Sequence, residues 1–246
     1  MSLRPLTAQT GAEVYMTLRR GETLLLTIGI PVVFLLFFSK VSVISTPTAE
    51  PVDFFVPGIV SLAVMSTAMV SLGIATGFER GYGVLKRLGT TPLGRGRLLG
   101  AKIITIVAVE LLQAAVLLSV GVGLGWDPGR SGLTALPGAI GAVLLGSAAF
   151  AGIGLFMAGT LRAEVNLAAA NGLYLVLLLL GGMIVPITKL PSGLASFADL
   201  LPAAALSAAL HATLGAGGSV PAESWEVLVI WAIAAPLAAA LTFSWE

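Results

Sequence analysis

The 246-residue sequence contains no cysteine, a single histidine and few charged residues. The absence of cysteine excludes disulfides and thiolate metal sites, and it leaves the redox compartment undetermined. His211 has no second histidine and no nearby carboxylate in the sequence, which excludes a histidine-based metal site and a Ser-His-Asp triad. We therefore expect a packing or surface role for His211, and we expect neither catalytic residues nor a metal site in this chain.

Charge is also scarce: charged residues make up 10% of the chain and hydrophobic residues 57%, and the mean hydropathy is +1.01. Soluble domains carry about 25% charged residues, so this chain has too few to cover a water-facing surface. Its length accommodates six membrane spans of about 20 residues each together with their loops. The composition predicts an all-α membrane protein with one transmembrane domain over residues 1–246.

Long apolar runs separated by polar segments predict six transmembrane helices. The predicted spans are 23–38, 54–77, 99–125, 136–160, 167–186 and 225–243. Before them, residues 1–22 contain Thr10-x-x-Glu13, which is typical of a capping box, and predict a cytoplasmic interfacial helix. After the fifth span, Pro202, Pro221 and a glycine-rich run leave a helical piece of only about 12 residues within 187–224. That length favours re-entrant short helices on the outer side over a seventh span.

A polar, basic segment, 78–97, separates the second span from the third. Residues 54–78 carry no charge, and residues 103–126 carry only Glu110. Within the segment, apolar residues recur at helical spacing. They are Phe78, Tyr82, Leu85 and Leu88, while Glu79, Arg80, Lys86 and Arg87 fall on the other side. Pro92 ends the predicted helix, so the spacing indicates an amphipathic helix at the membrane surface.

The same segment resembles the E-R-x-x-G-x-L-x-x-L-x-x-T-P-L-x-R motif of type-2 ABC transporter permeases, in particular the daunorubicin-resistance type of drug exporter. In that family the segment is a coupling helix that docks on the ATP-binding subunit. The resemblance assigns this coupling role to Glu79, Arg80, Tyr82, Gly83, Leu85, Leu88, Thr91, Pro92 and Arg95. The alternative is a cytoplasmic loop with a topological role only.

The resemblance also implies partners and a mechanism. Six spans form half of such an exporter, which implies a second permease copy, identical or a sister chain, and two ATP-binding subunits. This sequence contains no G-x-x-x-x-G-K-[ST] loop, so ATP and Mg²⁺ are expected on the partner subunit and this chain is expected to be a non-enzymatic transport subunit. Transport of drug-like amphiphiles or lipid-linked substrates out of the cell would proceed by alternating access. No nucleic-acid partner is expected.

The distribution of basic residues predicts the orientation in a bacterial plasma membrane. If both termini are cytoplasmic, only Lys40, Arg130 and Lys189 of the 13 basic residues lie outside. This bias follows the positive-inside rule, and it places the 78–97 segment in the cytoplasm, beside the expected ATPase.

Two polar residues interrupt the third predicted span. Glu110 and Gln113 lie one turn apart on the same face, near the middle of that span. A charge at that depth costs about 2.5–3.5 kcal/mol on insertion scales, so Glu110 should contact protein or water. One hypothesis places both residues on the substrate route for cationic drugs, and the other makes them polar anchors between spans. An ion-coupled secondary transporter that uses Glu110, and an ABC permease for polysaccharide or lipid, remain alternatives for the whole chain.

Overall fold

The computed structural model describes residues 11, 21–41, 44–89, 95–127, 133–215 and 219–244, with the backbone alone at 21–24, 26, 88–89 and 95–97. Every regular element within these residues is helical. The α-helices are α1 (Gly21–Lys40), α2 (Pro51–Met65), α3 (Leu72–Gly81), α4 (Val84–Gly89), α5 (Arg95–Gly123), α6 (Leu136–Thr160), α7 (Ala163–Leu180), α8 (Ser192–Ala198), α9 (Pro202–Leu214) and α10 (Ala222–Thr242). Short 3-10 turns occupy Leu133–Ala135 and Ile187–Lys189.

Among the described residues, five helices are long and apolar enough to cross a membrane. They are Pro51–Gly81, Leu98–Gly123, Leu136–Thr160, Ala163–Leu180 and Ala222–Thr242. The number rises to six if the bent pair α8–α9 forms one span. The predicted first span lies in α1, whose apolar part Thr27–Lys40 is shorter than the other five. The all-helical, multi-span prediction is thus confirmed, whereas most of the predicted interfacial helix at 1–22 lies outside the described residues.

The second span is one continuous helix that changes its winding halfway along. A six-residue π-helical segment, Ser66–Ser71, joins α2 to α3. Each π turn takes an extra residue, and such segments are frequent at functional positions of membrane and soluble helices alike. The span therefore reaches Gly81, four residues beyond the predicted end at residue 77.

The predicted coupling helix is divided by a turn. After α3 ends at Gly81, Tyr82 and Gly83 form a turn, and α4 then runs over Val84–Gly89. Gly83 has a φ of +70°, a left-handed conformation that glycine adopts without the steric cost of a Cβ. The apolar spacing from Phe78 to Leu88 predicted one helix, but the structure has two helices meeting at this turn, here named the α3–α4 corner.

The fifth predicted span, 167–186, is shifted along the chain in the structure. Helix α7 begins at Ala163 after the extended Arg162, and it ends at Leu180. Glu164 lies in its first turn, where the helix dipole favours a negative charge. Gly182 has a φ of +66°, which a helix cannot contain, so the apolar residues up to 186 form a loop instead of a further turn.

Close contacts between backbones hold the spans together. Helices α6 and α10 pack most extensively of all pairs. A Cβ placed on Gly152 would lie 2.4 Å from the backbone nitrogen of Pro236 in α10, and one on Gly154 would lie 2.6 Å from the carbonyl oxygen of Met69 in the π segment. Small residues permit this approach, which is how membrane helices gain packing energy without a hydrophobic driving force between them.

The region between the fifth and last spans contains the bent helix pair predicted as re-entrant. Helices α8 and α9 meet at an angle of 84°, a geometry that fits either a re-entrant loop or a broken span. Trp126 donates its indole N–H to the carbonyl oxygen of Leu214 over 2.9 Å. The Nε2 atom of His211 lies 3.1 Å from the carbonyl oxygen of Phe54, so this imidazole packs between α9 and α2.

Candidate coupling site at one end of the helix bundle

The ends of several helices meet beside the α3–α4 corner. The carboxyl ends of α3, α6 and α10 and the amino ends of α5 and α7 all lie at this end of the bundle. The backbone N–H of Ser244, just after α10, donates to the carbonyl oxygen of Gly159 near the end of α6 over 3.2 Å. The residues of the basic segment are therefore placed among the ends of four other helices.

Arg80, at the end of α3, binds the end of α6. Its two terminal guanidinium nitrogens donate hydrogen bonds to the carbonyl oxygens of Gly159 and Leu161. The last carbonyls of a helix lack partners within the helix and carry a partial negative charge. The planar guanidinium supplies two donors in a fixed fork, so Arg80 caps α6 from a neighbouring span.

Glu79, the preceding residue, binds α5 instead. The Nζ atom of Lys102 lies 2.9 Å from Oε1 and 2.8 Å from Oε2 of Glu79. The Lys102 side chain is only 6% exposed, whereas that of Glu79 is 31% exposed. A buried ammonium group is costly unless it is paired, so Glu79 is the main acidic partner of a lysine that has lost most of its water.

We name these groups the corner cluster: Glu79, Arg80, Lys102 and the carbonyl groups of Gly159 and Leu161. A further contact joins α3 to α7, because the side-chain amide of Asn166 donates to the carbonyl oxygen of Gly73 over 2.8 Å. Gly77 makes room for this amide, since a Cβ there would lie 2.5 Å from the Asn166 nitrogen.

Helix α4 has one buried face and one exposed face. Leu85 is fully buried against Leu98 of α5, and Phe243 packs onto the pair. On the other side Tyr82 is 75% exposed and Val84 is 38% exposed. The corner therefore rests on the ends of α5 and α10 through Leu85 and presents an aromatic and an aliphatic side chain outward.

The profile of the ABC-2 type transporter family matches residues 8–214 of this sequence. The chain belongs to the ABC-2 type transporter family. It is also 27% identical over 201 residues to YvfS of Bacillus subtilis (strain 168), a protein named as a transport permease, and the match covers 79% of each chain. The protein is therefore a multi-pass membrane component of an ABC transporter, a transport subunit of a family that works with an ATP-binding subunit.

The structure of this ABC-2 permease brings together only part of the predicted coupling motif. Glu79, Arg80, Tyr82, Gly83 and Leu85 lie within the corner and its contacts. Leu88 is in α4 and Arg95 is the first residue of α5, with their backbones alone described, while Thr91 and Pro92 lie outside the described residues. The assignment of these residues to ATPase coupling stays a prediction.

Several residues of this site have no signal in the sequence of the permease. Arg80 is 79 residues before Gly159, and a carbonyl group can be supplied by any residue type, so no pattern marks that partner. Lys102 lies beyond the 78–97 segment, and its pairing with Glu79 depends on how α5 packs. The contact of Asn166 also follows from packing, because the structure places its side-chain amide against α3.

In the middle of the permease, Gln113 joins three helices. Its Nε2 atom donates to the carbonyl oxygen of Thr27 in α1 over 2.7 Å, and its Oε1 atom accepts from the hydroxyl of Thr67 in the π segment over 2.9 Å. One turn earlier, Glu110 of α5 accepts a hydrogen bond from the hydroxyl of Ser147 in α6. Glu110 and Gln113 are each 1% exposed, so both are enclosed by neighbouring spans of their own chain.

We name this group the mid-span cluster: Thr27, Thr67, Glu110, Gln113 and Ser147. Its contacts have the form expected of polar anchors between spans. A role on the substrate route remains a prediction, and it requires α5 to separate from α6 or from the π segment during transport. Within the described residues no group of three or more His, Cys, Asp or Glu is placed to hold a metal ion.

Proposed function

We propose that this chain is the membrane-spanning subunit of an ATP-driven exporter, which moves amphiphilic small molecules out of a bacterial cell. The observation that carries the proposal is the α3–α4 corner, which lies at the end of the longest span and keeps Tyr82 75% exposed while Leu85 is fully buried beneath it. An element that is anchored on one face, and that exposes an aromatic side chain together with the basic Lys86 and Arg87, fits a docking surface for a soluble partner.

The proposed partners are two ATP-binding subunits, which bind ATP and Mg²⁺, and a second permease copy. The positive-inside bias supports a cytoplasmic position of the corner, with both termini on the same side. In this arrangement ATP binding closes the ATPase subunits, the corners move with them, and the spans alternate between inward-open and outward-open packing.

A cavity between the first, second and fifth spans is the proposed substrate contact. It has a volume of about 330 Å³ and lies between α1, the π segment and α7. Its lining combines apolar side chains with Thr27, Ser66, Asn171 and Tyr174. Such a mixture suits an amphiphile, because apolar walls bind the body of the ligand and a few polar groups orient it.

Asn171 supports placing this cavity at the centre of the assembly. It lies midway along α7 and is exposed, and its amide nitrogen donates only to the Leu167 carbonyl oxygen of its own helix. An amide at that depth is costly in hydrocarbon, so we propose that this face of α7 borders the second permease copy or the water-filled route between the copies.

Purification of the chain from its native host in mild detergent, followed by mass spectrometry of bound proteins, tests the proposal. We expect an ATPase subunit with a Walker A sequence to co-purify with it. Repeated recovery of the chain alone would contradict the exporter and favour an ion-coupled transporter that depends on Glu110. Reconstituted complexes can then be assayed with a cationic and a neutral amphiphilic dye, and ATP-dependent export of neither dye would point to polysaccharide or lipid substrates instead.

A further inference from the structure

We propose that the two halves of the coupling segment have different roles: Tyr82 and Val84 form the docking face, whereas Glu79 and Arg80 are positioning residues that pass its movement to α5 and α6. The proposal rests on the function proposed above. It assigns Glu79 and Arg80 to contacts within the permease, in place of the direct ATPase contact that the sequence motif implies.

The direction of the side chains is the first argument. Neighbouring residues of an α-helix point about 100° apart, so the side chains of Glu79 and Arg80 leave α3 in different directions. Glu79 contacts Lys102 of α5, and Arg80 contacts the carbonyl groups that end α6. The final turn of α3 is thereby tied to the spans on two sides of it.

The nature of the contacts is the second argument. The guanidinium of Arg80 makes two charge-assisted hydrogen bonds to the backbone itself, so a displacement of the corner pulls directly on the end of α6. A backbone acceptor transmits movement well because, unlike a side chain, it cannot follow the donor by a change of its own rotamer. The ion pair of Glu79 with the buried Lys102 does the same for α5.

The remaining surface of the corner is the third argument. Arg80 and Glu79 are half-buried, whereas Tyr82, only two residues later, is 75% exposed. Aromatic side chains with much exposed area are the ones that dominate protein interfaces when a partner covers them. A partner that binds Tyr82 would thus act on the end of α3. At that end Glu79 and Arg80 attach α3 to the other spans.

The absence of cysteine makes a direct test feasible, since one introduced cysteine gives a single labelling site in each copy of this chain. Thr160 is exposed at the end of α6, so we would attach a nitroxide to Thr160→Cys in the full complex with the co-purified ATPase subunit. The measurements are the change in the spin-label spectrum on addition of ATP, the amount of bound ATPase subunit, and the basal ATP hydrolysis rate.

In the otherwise unchanged complex we expect ATP to alter the spectrum at position 160. Arg80→Ala should keep the ATPase subunit bound but reduce the spectral change about fivefold or more, the scale of a typical coupling free energy, and Arg80→Lys should restore part of it. Tyr82→Ala, the matched docking variant, should weaken ATPase binding about tenfold. A merely structural role of Arg80 would alter stability without a selective loss of the ATP response.

A second label tests the contact with α5. Ile104 is 47% exposed on that helix, and a nitroxide at Ile104→Cys should respond to ATP. Glu79→Lys should abolish this response, and the charge-reversed pair Glu79→Lys with Lys102→Glu should recover a substantial part of it. Recovery by the reversed pair requires that residues 79 and 102 contact each other directly. A docking role of Glu79 does not predict this recovery.

The results that would overturn the proposal are distinct from those that would overturn the exporter function. Loss of the ATPase subunit from Arg80→Ala to the same extent as from Tyr82→Ala would show that Arg80 belongs to the docking face. An unchanged ATP response at position 160 in Arg80→Ala would show that Arg80 does not transmit movement to α6. If no ATPase subunit co-purifies with the unaltered chain, the proposed function fails, and the division of roles fails with it.

Discussion

The corner cluster and the mid-span cluster both connect the second span, α5 and α6, but by different chemistry. The corner cluster joins α3 to α5 and α6 with a charge pair and a guanidinium that caps a helix end. The mid-span cluster joins α5 to α1, to the π segment and to α6 with an amide, hydroxyl groups and one carboxyl group. One cluster uses full charges, and the other relies mainly on neutral donors.

Solvation explains this difference. At the corner, Glu79 remains 31% exposed and helix α6 ends with carbonyl groups that need partners, so charged side chains stay partly hydrated and find acceptors. In mid-span, Gln113 is 1% exposed, and the Thr27 carbonyl that it binds is the one left without a helical donor by Pro31, so a neutral amide completes the pairing there. Neutral groups are cheaper to enclose there, since an unpaired charge in hydrocarbon costs several kcal/mol.

The largest loss of stability that tests this difference between the clusters is expected for Arg80→Ala. This change leaves two carbonyl groups at the end of α6 without their charged donors. We expect a loss of about 3 kcal/mol in the free energy of unfolding, because hydrogen bonds to charged groups contribute about 1.5–3 kcal/mol each and water replaces part of them. Unfolding of the purified chain by titration with SDS would measure it. Tyr82→Ala is the control, and an equal loss in that variant would contradict the capping role.

A smaller effect is expected when the ion pair of the corner cluster is broken from one side. Glu79→Ala removes the carboxylate that pairs with the buried ammonium of Lys102 and should cost about 2 kcal/mol, between the values of buried and surface pairs. Lys102→Met should cost less, since Glu79 can be hydrated. The same SDS titration measures the loss of stability in both variants. A larger loss for Lys102→Met than for Glu79→Ala would contradict the view that Lys102 depends on Glu79 more than Glu79 depends on Lys102.

In the mid-span cluster, Gln113→Leu should cost only about 1 kcal/mol. Hydrogen bonds between membrane helices contribute about 0.6 kcal/mol on average, and Gln113 makes two of them, to Thr27 and Thr67. Leu112→Met, on the exposed side of the same helix, is the control. A loss as large as that of Arg80→Ala would remove the distinction between the two clusters.

The smallest effect on stability is expected for Glu110→Gln. The amide oxygen of glutamine can accept the hydrogen bond that the Ser147 hydroxyl now donates, so the free energy of unfolding should change by less than about 0.5 kcal/mol. If Glu110 also lies on the substrate route, export of a cationic dye should decrease more than export of a neutral dye. If export of both dyes decreases to the same extent, Glu110 has only the anchoring role.

The boundaries of the spans show how far local sequence information reaches. Helix α6 occupies Leu136–Thr160, the range predicted from its apolar run, because polar residues end that run on both sides. Helix α7 was misplaced, since its apolar run continues past Gly181 and Gly182 and hydropathy does not register a backbone turn. Three prolines, Pro31, Pro57 and Pro236, lie inside helices, where neighbouring spans compensate for the missing N–H.

The candidate site shows the same limit. Spacing placed Glu79 and Arg80 on the polar side of a predicted helix and the family resemblance assigned them to coupling, yet neither predicted the turn at Gly83 or the partners of the two side chains. The turn follows from one residue with a positive φ. The partners follow from packing, because the carbonyl groups of Gly159 and Leu161 approach Arg80 only when α6 ends beside α3.

The sequence by itself determined that this protein is helical, lies in the membrane and carries a basic segment between its second and third spans. Composition and periodicity suffice for that, because burial in lipid demands apolar residues and helical pairing along every span. Only the tertiary structure decided that Glu79 and Arg80 point away from each other, to α5 and to α6, and that Gln113 joins three helices. These contacts depend on helix ends and rotations that close packing sets, and residues far apart in the chain contribute to each of them.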